Sequence, residues 1–205
     1  QFELLVDVME KDGTLIYFDG DENIQAIVKK KNVRSIPYNS HPNVVKDGKT
    51  SLLAGGKELP MKIFGQHNLQ NLSGAMLICK ELGLSDEQFY TAIASFKGAA
   101  KRLEWVAGND TCDVYKDFAH SPSKLKATTK AVKDQFPKRR LVACMELHTF
   151  SSLNEEFLKE YDGSMNTADE AIVYFSPHAI EHKKLKAITA EQVQEAFGNS
   201  KLKVI

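Results

Sequence analysis

The sequence has few cysteines, no excess of either charge and no long apolar run, and each of these absences argues against a class of protein. Three cysteines in 205 residues, none in CxxC spacing, do not form a disulfide framework, and we expect reduced, buried thiols at Cys79, Cys112 and Cys144. The 27 basic and 27 acidic side chains cancel, which gives no electrostatic footprint for a nucleic-acid or anionic membrane partner. No apolar run approaches the ~20 residues that cross a bilayer. We therefore expect a cytoplasmic protein.

A complete phosphate-binding loop is also missing from the sequence. The stretch "DGKT" (47–50) ends like one, but the motif needs a glycine five residues before Gly48, and position 43 is asparagine. A strand rather than a helix is predicted after Thr50, so no helix N-terminus would point at a phosphate. We interpret this stretch as a surface turn.

The first half of the chain alternates between helical and extended patterns. The periodicity is helical at the start of the chain and in "DENIQAIVKKK", while "GTLIYFDG" and "RSIPYN" are predicted strands. A hairpin is predicted after them, around Gly55-Gly56. The period then becomes helical from Gln66 to Gly83, and a second helix opens with a capping box, Ser85 to Gln88. The segment "KGAAK" breaks this pattern, and we place a domain boundary near Gly98.

The second half alternates strands with helices, which predicts a parallel, doubly wound sheet. Two strands flank a Gly-Asn-Asp turn, and a helix follows with Ser121 as N-cap and Pro122 in its first turn. The runs "RLVACME" and "EAIVYFS" are typical of strands covered on both faces. Three segments follow strands, "DFAHSP", "ELHTFSS" and "SPHA", and ligands bind at such strand ends. The predicted inner face of the helix after Ser121 consists of Leu125, Thr128, Val132 and Phe136.

The stretch "GQHNLQN" places three polar side chains within one narrow arc of a helix: His67, Asn68 and Asn71. Carboxamides donate and accept hydrogen bonds, so they match an adenine edge. A solvated polar face with capping asparagines is an equal alternative.

Three further residues have both a ligand-binding and a structural interpretation. Arg102, at the proposed domain junction, is suited to clamp a phosphate, although a salt bridge is commoner. Asp117 ends a strand, where its carboxylate can accept ribose hydroxyls or cap a turn. His120 can contact a ligand or be structural. The other histidines have no metal-ligand spacing, so no metal site is predicted.

Taken in order, "GQHNLQN", "FKGAAKRLE" and "DFAHSP" resemble the G-x-H-N-x-x-N, R-[FL]-E and D-[YF]-x-H-x-P motifs of the Mur ligases, the ATP-dependent amide-forming enzymes of bacterial cell-wall synthesis. The resemblance implies that residues 1–98 are the tail of the family's central ATPase domain. Residues 99–205 then correspond to most of its Rossmann-like C-terminal domain. The phosphate loop and the ligands of Mg²⁺ would lie upstream, so we expect these 205 residues to be inactive alone.

The resemblance also implies roles for the polar residues. His67, Asn68 and Asn71 would read the adenine of ATP, and Asp117 would hold its ribose. Arg102 would reach the phosphates, while His120 and Ser121 would face the reaction cleft. Arg102 and His120 are thus the implied catalytic residues.

Within the family, the Phe-Ala of "DFAH" and the Leu of "KRLE" are most similar to the ligases that join a murein tripeptide to UDP-N-acetylmuramate in peptidoglycan recycling. The ligase that adds L-alanine to UDP-N-acetylmuramate is an alternative, as is a folylpolyglutamate synthase. A non-catalytic nucleotide-binding module of similar topology is the alternative from another class.

Overall fold

A computed structural model describes residues 1–205, and the chain divides into two compact units, Gln1–Lys97 and Gly98–Ile205. The division lies beside the boundary that the break at "KGAAK" predicts. None of the helices combines the length and the apolar character that a membrane span requires. The two units are described separately.

The first unit contains four helices and five strands. Two strands pair in parallel (β1 with β2), and three form an antiparallel sheet in the order β3-β4-β5. The hairpin around Gly55-Gly56 is confirmed, whereas β3 was not predicted. The elements are α1 (Phe2–Asp7), β1 (Leu15–Phe18), α2 (Glu22–Lys31), β2 (Ser35–Tyr38), β3 (Asn43–Lys46), β4 (Lys49–Ala54), β5 (Lys57–Met61), α3 (Gln66–Glu81) and α4 (Asp86–Ile93).

Local chemistry accounts for the ends of these helices. Ser85 accepts a hydrogen bond from the Gln88 amide while the Gln88 side chain bonds back to Ser85, which is the predicted capping box of α4. Gly65 precedes α3 with φ 88°, a conformation that other residues rarely adopt. Helices α3 and α4 pack over β4 and β5 through one apolar cluster, which contains Leu52, Met61, Ile63, Leu69, Leu72 and Phe89.

The second unit contains a parallel three-stranded sheet in the order β10-β9-β8 and a separate hairpin of β6 and β7. The predicted α/β class with parallel strands is confirmed, while α7 was not predicted. The elements are β6 (Glu104–Gly108), β7 (Asp113–Lys116), α5 (Pro122–Gln135), β8 (Val142–Leu147), α6 (Glu155–Leu158) with a 3₁₀ turn (Lys159–Tyr161), β9 (Glu170–Phe175), α7 (Pro177–His182), α8 (Ala190–Phe197) and β10 (Leu202–Val204).

The core of this unit lies on one side of the parallel sheet. It combines alternate residues of β8 and β9 with the apolar faces of the helices, including Met145, Leu147, Leu158, Tyr161, Val173, Val193 and Phe197. The prediction that β8 and β9 are covered on both faces was wrong for this chain. Val142 and Tyr174 are about half exposed.

Two other sequence expectations were wrong for related reasons. Cys112, in the turn between β6 and β7, and Cys144, on the open face of β8, are exposed rather than buried; all three cysteines are free. Helix α5 buries Leu125 and Thr129, and these two residues line a cleft together with the less buried Thr128, Val132 and Phe136. The apolar pattern of α5 therefore serves two surfaces, which periodicity alone does not distinguish.

Candidate functional site

A cleft of about 990 Å³ opens in the second unit between β7 and β8. Neither strand pairs with the other, since β7 pairs with β6 and β8 with β9. Helix α5 supplies Leu125, Thr128 and Val132 to its lining. The segments after β7 and β8 also line it, so the cleft reaches the carboxyl ends of the two strands.

Asp117 ties the end of β7 to the loop that carries Arg102. Its Oδ2 accepts a hydrogen bond from the Leu103 amide at 2.8 Å, and the Phe118 amide donates to the Lys101 carbonyl at 2.9 Å. Asp117, which the sequence predicts to bind the ribose, and Arg102, which it predicts to bind the phosphates, are therefore neighbours. Oδ2 of Asp117 is used structurally, which leaves Oδ1 for a ligand.

The Arg102 loop has an uncommon backbone conformation. Lys101 and Leu103, on either side of Arg102, both have positive φ values, 58° and 46°. Hydrogen bonds hold the loop, because the Glu104 carboxylate accepts from the Lys101 amide at 2.7 Å and Asp117 accepts from Leu103. Such conformations persist where surrounding contacts enforce them, and they concentrate at functional sites. The exposed Arg102 forms no ion pair within the chain, so the salt-bridge alternative has no partner here.

His120 lies half-buried just before α5, and the core fixes its backbone. The Tyr161 hydroxyl donates to the His120 carbonyl at 2.8 Å. Tyr161 is fully buried and stacks on Phe197 with ring centroids 5.0 Å apart. Burial raises the pKa of Tyr161 to about 12, so its hydroxyl stays a donor at neutral pH. Ser121 occupies the predicted N-cap position of α5, but its side chain makes no capping hydrogen bond.

The polar cluster of the first unit lies on the first turns of α3. His67 and Asn68 are half-buried, and Asn71 is exposed. The Asn68 carboxamide nitrogen donates to the Phe64 carbonyl at 2.9 Å. This bond fixes the carboxamide and leaves its oxygen as an acceptor.

Sequence reasoning missed two residues of the cleft, Phe118 and His148. The Phe118 ring lies 5.0 Å from the His120 ring and 6.1 Å from the His148 ring, centroid to centroid. The segments after β7 and β8 therefore meet. Both residues follow the end of a strand, and this position was the sequence signal for a place in the cleft. A single histidine in "ELHTFSS" was not enough to predict that His148 belongs to the site.

Asp113, at the start of β7, is paired with a residue outside the hairpin. Asp113 accepts hydrogen bonds from the Trp105 indole at 2.9 Å and from Arg139. These partners, the indole first, lower the pKa of the Asp113 carboxyl. Since Arg139 belongs to the connection between α5 and β8, this pair joins the hairpin to the rest of the unit at the end of the cleft away from His120.

A sequence profile described as the Mur ligase glutamate ligase domain matches residues 101–205. Among curated proteins, a UDP-N-acetylmuramate–L-alanine ligase of Mesorhizobium japonicum is 34% identical over 156 residues, 74% of this chain and 32% of that protein. Another, from Clostridium botulinum, is 26% identical over 98% of this chain and 46% of its own length. The chain thus spans less than half the length of the curated relatives it matches.

Solved structures share the fold. A MurF of Acinetobacter baumannii superposes with a TM-score of 0.71 at 15% identity, over 98% of this chain and 44% of that chain.

Proposed function

Because this chain belongs to the Mur ligase family, we propose that it is part of an ATP-dependent ligase that joins an amine to the carboxylate of UDP-N-acetylmuramate. In this proposal ATP phosphorylates the carboxylate, the amine attacks the acyl phosphate, and an amide and phosphate are released. The observation that carries the proposal is the hydrogen bond from the Leu103 amide to Asp117, which holds the proposed ribose acceptor next to the loop whose Arg102 is the proposed phosphate ligand.

The proposed division of labour follows the two units. His67, Asn68 and Asn71 contact the adenine, Asp117 the ribose, and Arg102 the phosphates. His120 and Ser121 face the reacting groups. Residues 1–97 then belong to the ATP-binding domain and 98–205 to the C-terminal domain, and we expect the reaction in the bacterial cytoplasm. Mg²⁺ would neutralise phosphate charge in this reaction; no group of three His, Cys, Asp or Glu side chains in residues 1–205 suits a metal ion.

L-Alanine is the favoured amine. The curated relatives are named UDP-N-acetylmuramate–L-alanine ligases, and this favours L-alanine over the tripeptide that the "DFAH" and "KRLE" motifs indicate. The murein tripeptide L-Ala-γ-D-Glu-meso-diaminopimelate is retained as the second candidate because of those two motifs.

The test is a ligation assay on the complete protein with UDP-N-acetylmuramate and ATP. We expect ADP release that depends on L-alanine, with the amide product identified by mass spectrometry. Tripeptide-dependent release without an L-alanine response would select the second candidate. ATP turnover that neither amine stimulates, or the absence of any ATP turnover, would contradict the proposal and favour a nucleotide-binding module.

A further inference from the structure

The first turn of α3, which begins the helix of the proposed adenine ligands, lies against the loop 39–42 between β2 and β3. The Leu69 carbonyl accepts from the His41 amide at 3.4 Å, and the Gln66 carbonyl accepts from the Ser40 hydroxyl at 3.5 Å. Both bonds are at the long end of the usual range. The position of the loop itself therefore decides how firmly this turn is held.

His41 anchors that loop to two other elements of the first unit. It is 4% exposed, and its Nδ1 lies 2.9 Å from the Pro42 carbonyl. A carbonyl only accepts, so Nδ1 carries the proton and, in the neutral ring, Nε2 has the lone pair. That lone pair accepts from the Tyr90 hydroxyl of α4 at 2.8 Å. The Pro42 carbonyl also accepts from the Leu53 amide at 2.8 Å, so the imidazole links α4 to a loop that is itself fixed to β4.

Packing aligns the Tyr90 hydroxyl with the imidazole. The rings of Tyr90 and His41 meet edge to face, with centroids 5.7 Å apart and planes at 89°. The preceding Phe89 is buried in the apolar cluster beneath α3 and α4. Burial first, and then the Asp86 carboxylate, raise the pKa of Tyr90, so its hydroxyl stays a donor at neutral pH. Because both polar partners are satisfied, the pair fixes a distance and a direction that apolar contacts would leave looser.

A second contact holds α3 farther along the helix. The Tyr38 ring, at the end of β2, packs so closely on α3 that a Cβ at Gly74 would lie 3.1 Å from it. This contact sets how near the middle of the helix stands to β2. It lies about two turns from the start of the helix, so the place of the first turn depends on the loop and hence on His41.

We propose that His41 is a positioning residue for adenine recognition. Through Tyr90 it sets the place of the loop 39–42, and through that loop it sets the first turns of α3; in this role it does not touch the nucleotide. The role rests on the proposed function, from which it takes the adenine contacts of His67, Asn68 and Asn71. Hydrogen bonds to a base edge are directional, so a small shift of the helix weakens base discrimination more than binding of the amine.

Two substitutions remove the bond between His41 and Tyr90 from opposite sides. Tyr90→Phe keeps the ring and removes the hydroxyl. His41→Asn keeps a donor for the Pro42 carbonyl at the position of Nδ1 but does not reach Tyr90. His41→Gln places an acceptor near the position of Nε2 and should restore part of the loss.

The readout is the preference of the complete protein for ATP over GTP, measured as a ratio of kcat/KM values and as a ratio of dissociation constants. Tyr90→Phe and His41→Asn should each lower this ratio roughly two- to tenfold, the effect of one net hydrogen bond, and leave the amine KM unchanged. The double variant should lose no more than the more impaired single variant, since both substitutions break the same bond.

Ser85→Ala is the matched control on the same helix. The Ser85 hydroxyl accepts from the Gln88 amide at 3.2 Å, so this substitution weakens α4 without touching the His41 bond. It should lower the melting temperature and leave the ATP-to-GTP ratio unchanged. An equal fall of the ratio in Ser85→Ala, or an unchanged ratio in folded Tyr90→Phe and His41→Asn proteins, would overturn the positioning role and leave His41 as a core histidine.

The two assays together separate this role from the proposed function. Ligation with an unchanged nucleotide ratio in both variants keeps the proposed function and rejects the role of His41. Tighter binding of ATP than of GTP in a protein without ligase activity, with that preference reduced in Tyr90→Phe, rejects the proposed function and keeps the role. A wild type with no preference for ATP would overturn the adenine contacts and the role of His41 together.

Discussion

Asp117 is the residue on which the structural and functional interpretations overlap most. It accepts the Leu103 amide through Oδ2, so it is a turn-fixing aspartate, and the sequence had already raised that possibility. The same bond holds the Arg102 loop against the end of β7, which is the position where the Asp117 carboxylate would contact a ligand. The structural role therefore positions the proposed ribose contact rather than replacing it.

Asp117→Asn in the complete protein should separate the two roles. The asparagine oxygen can still accept the Leu103 amide, so the melting temperature should change little. The ribose hydroxyls lose charge-assisted hydrogen bonds of about 1.5–3 kcal/mol, and the ATP KM should rise roughly ten- to a hundredfold. Melting curves and ATP titrations on the same sample, with Asp110→Asn in the exposed turn as control, measure both effects. A lower melting temperature with an unchanged ATP KM would reject the ribose role.

Single residues show what the sequence could and could not predict about the site. Asp117, His120 and Arg102 stood out because ordered motifs contain them. Phe118 and His148 became visible only through the ring contacts between segments thirty residues apart in sequence. Contacts of this kind depend on how strand ends meet, and no local pattern encodes that.

Among the elements, the helices were the most predictable, because their termini carry local chemistry. The predicted capping box of α4 and the Gly55-Gly56 hairpin form as expected, and α8 begins with a second capping box. Strand burial was predicted less well, because the apolar composition of β8 and β9 does not show whether one face of the sheet or both faces are covered. The helix α5 also shows that one apolar face can cover both a core and a cleft.

The capping box of α8 offers an element-scale prediction. Thr189 Oγ1 accepts from the Gln192 amide at 3.2 Å, and the Gln192 side chain accepts from the Thr189 amide. The helix buries Val193 and Phe197 completely. Thr189→Ala should therefore lower the free energy of unfolding by about 1 kcal/mol, measured by urea denaturation. Thr167→Ala, in an exposed turn, is the control, and equal effects of the two substitutions would contradict the capping role.

The start of the parallel sheet should be sensitive to acid. Lys133 first, then the Leu141 amide, lower the pKa of Asp169; Lys203 first, and Arg140, lower the pKa of Glu170. Folded pKa values below the ordinary 3.8 and 4.5 mean that the folded state binds fewer protons than the unfolded state. The stabilisation is present above those ordinary values and is lost as the pH falls through the lower folded ones.

Melting curves between pH 6 and pH 2 check this sign. We expect the midpoint to fall from about pH 4.5 downwards, and Asp169→Asn to flatten part of that fall because the variant has no carboxyl to protonate. Asp134→Asn, which removes an exposed helical i,i+4 pair with Lys130, should change the slope less. Identical slopes in the wild type and Asp169→Asn would show that this carboxyl does not contribute.

For the whole molecule, the sequence predicted a break in the chain near Gly98. The break follows from lost periodicity at "KGAAK", and each unit indeed has a separate apolar cluster. The polar residues assigned to ATP are divided between the units.

The last prediction concerns the activity of residues 1–205 alone. Phosphoryl transfer depends on positioning and on charge stabilisation around the phosphates. In "DGKT", Asp47 and Gly48 form the turn between β3 and β4, and Lys49 and Thr50 begin β4 rather than a helix. We therefore expect the purified 205-residue chain to release no phosphate from ATP above the buffer level. The complete protein under the same conditions should release phosphate when both UDP-N-acetylmuramate and the amine are present.

A low level of phosphate release from the short chain has two sources that variants distinguish. A contaminating ATPase would persist unchanged in Arg102→Ala and Asp117→Asn samples, because neither residue belongs to the contaminant. Release that both substitutions abolish, in chains whose circular dichroism and melting temperature match the wild type, would mean that residues 1–205 turn over ATP without a phosphate loop. That result would overturn the prediction and would mean that the Arg102 segment binds the phosphates without a phosphate-binding loop.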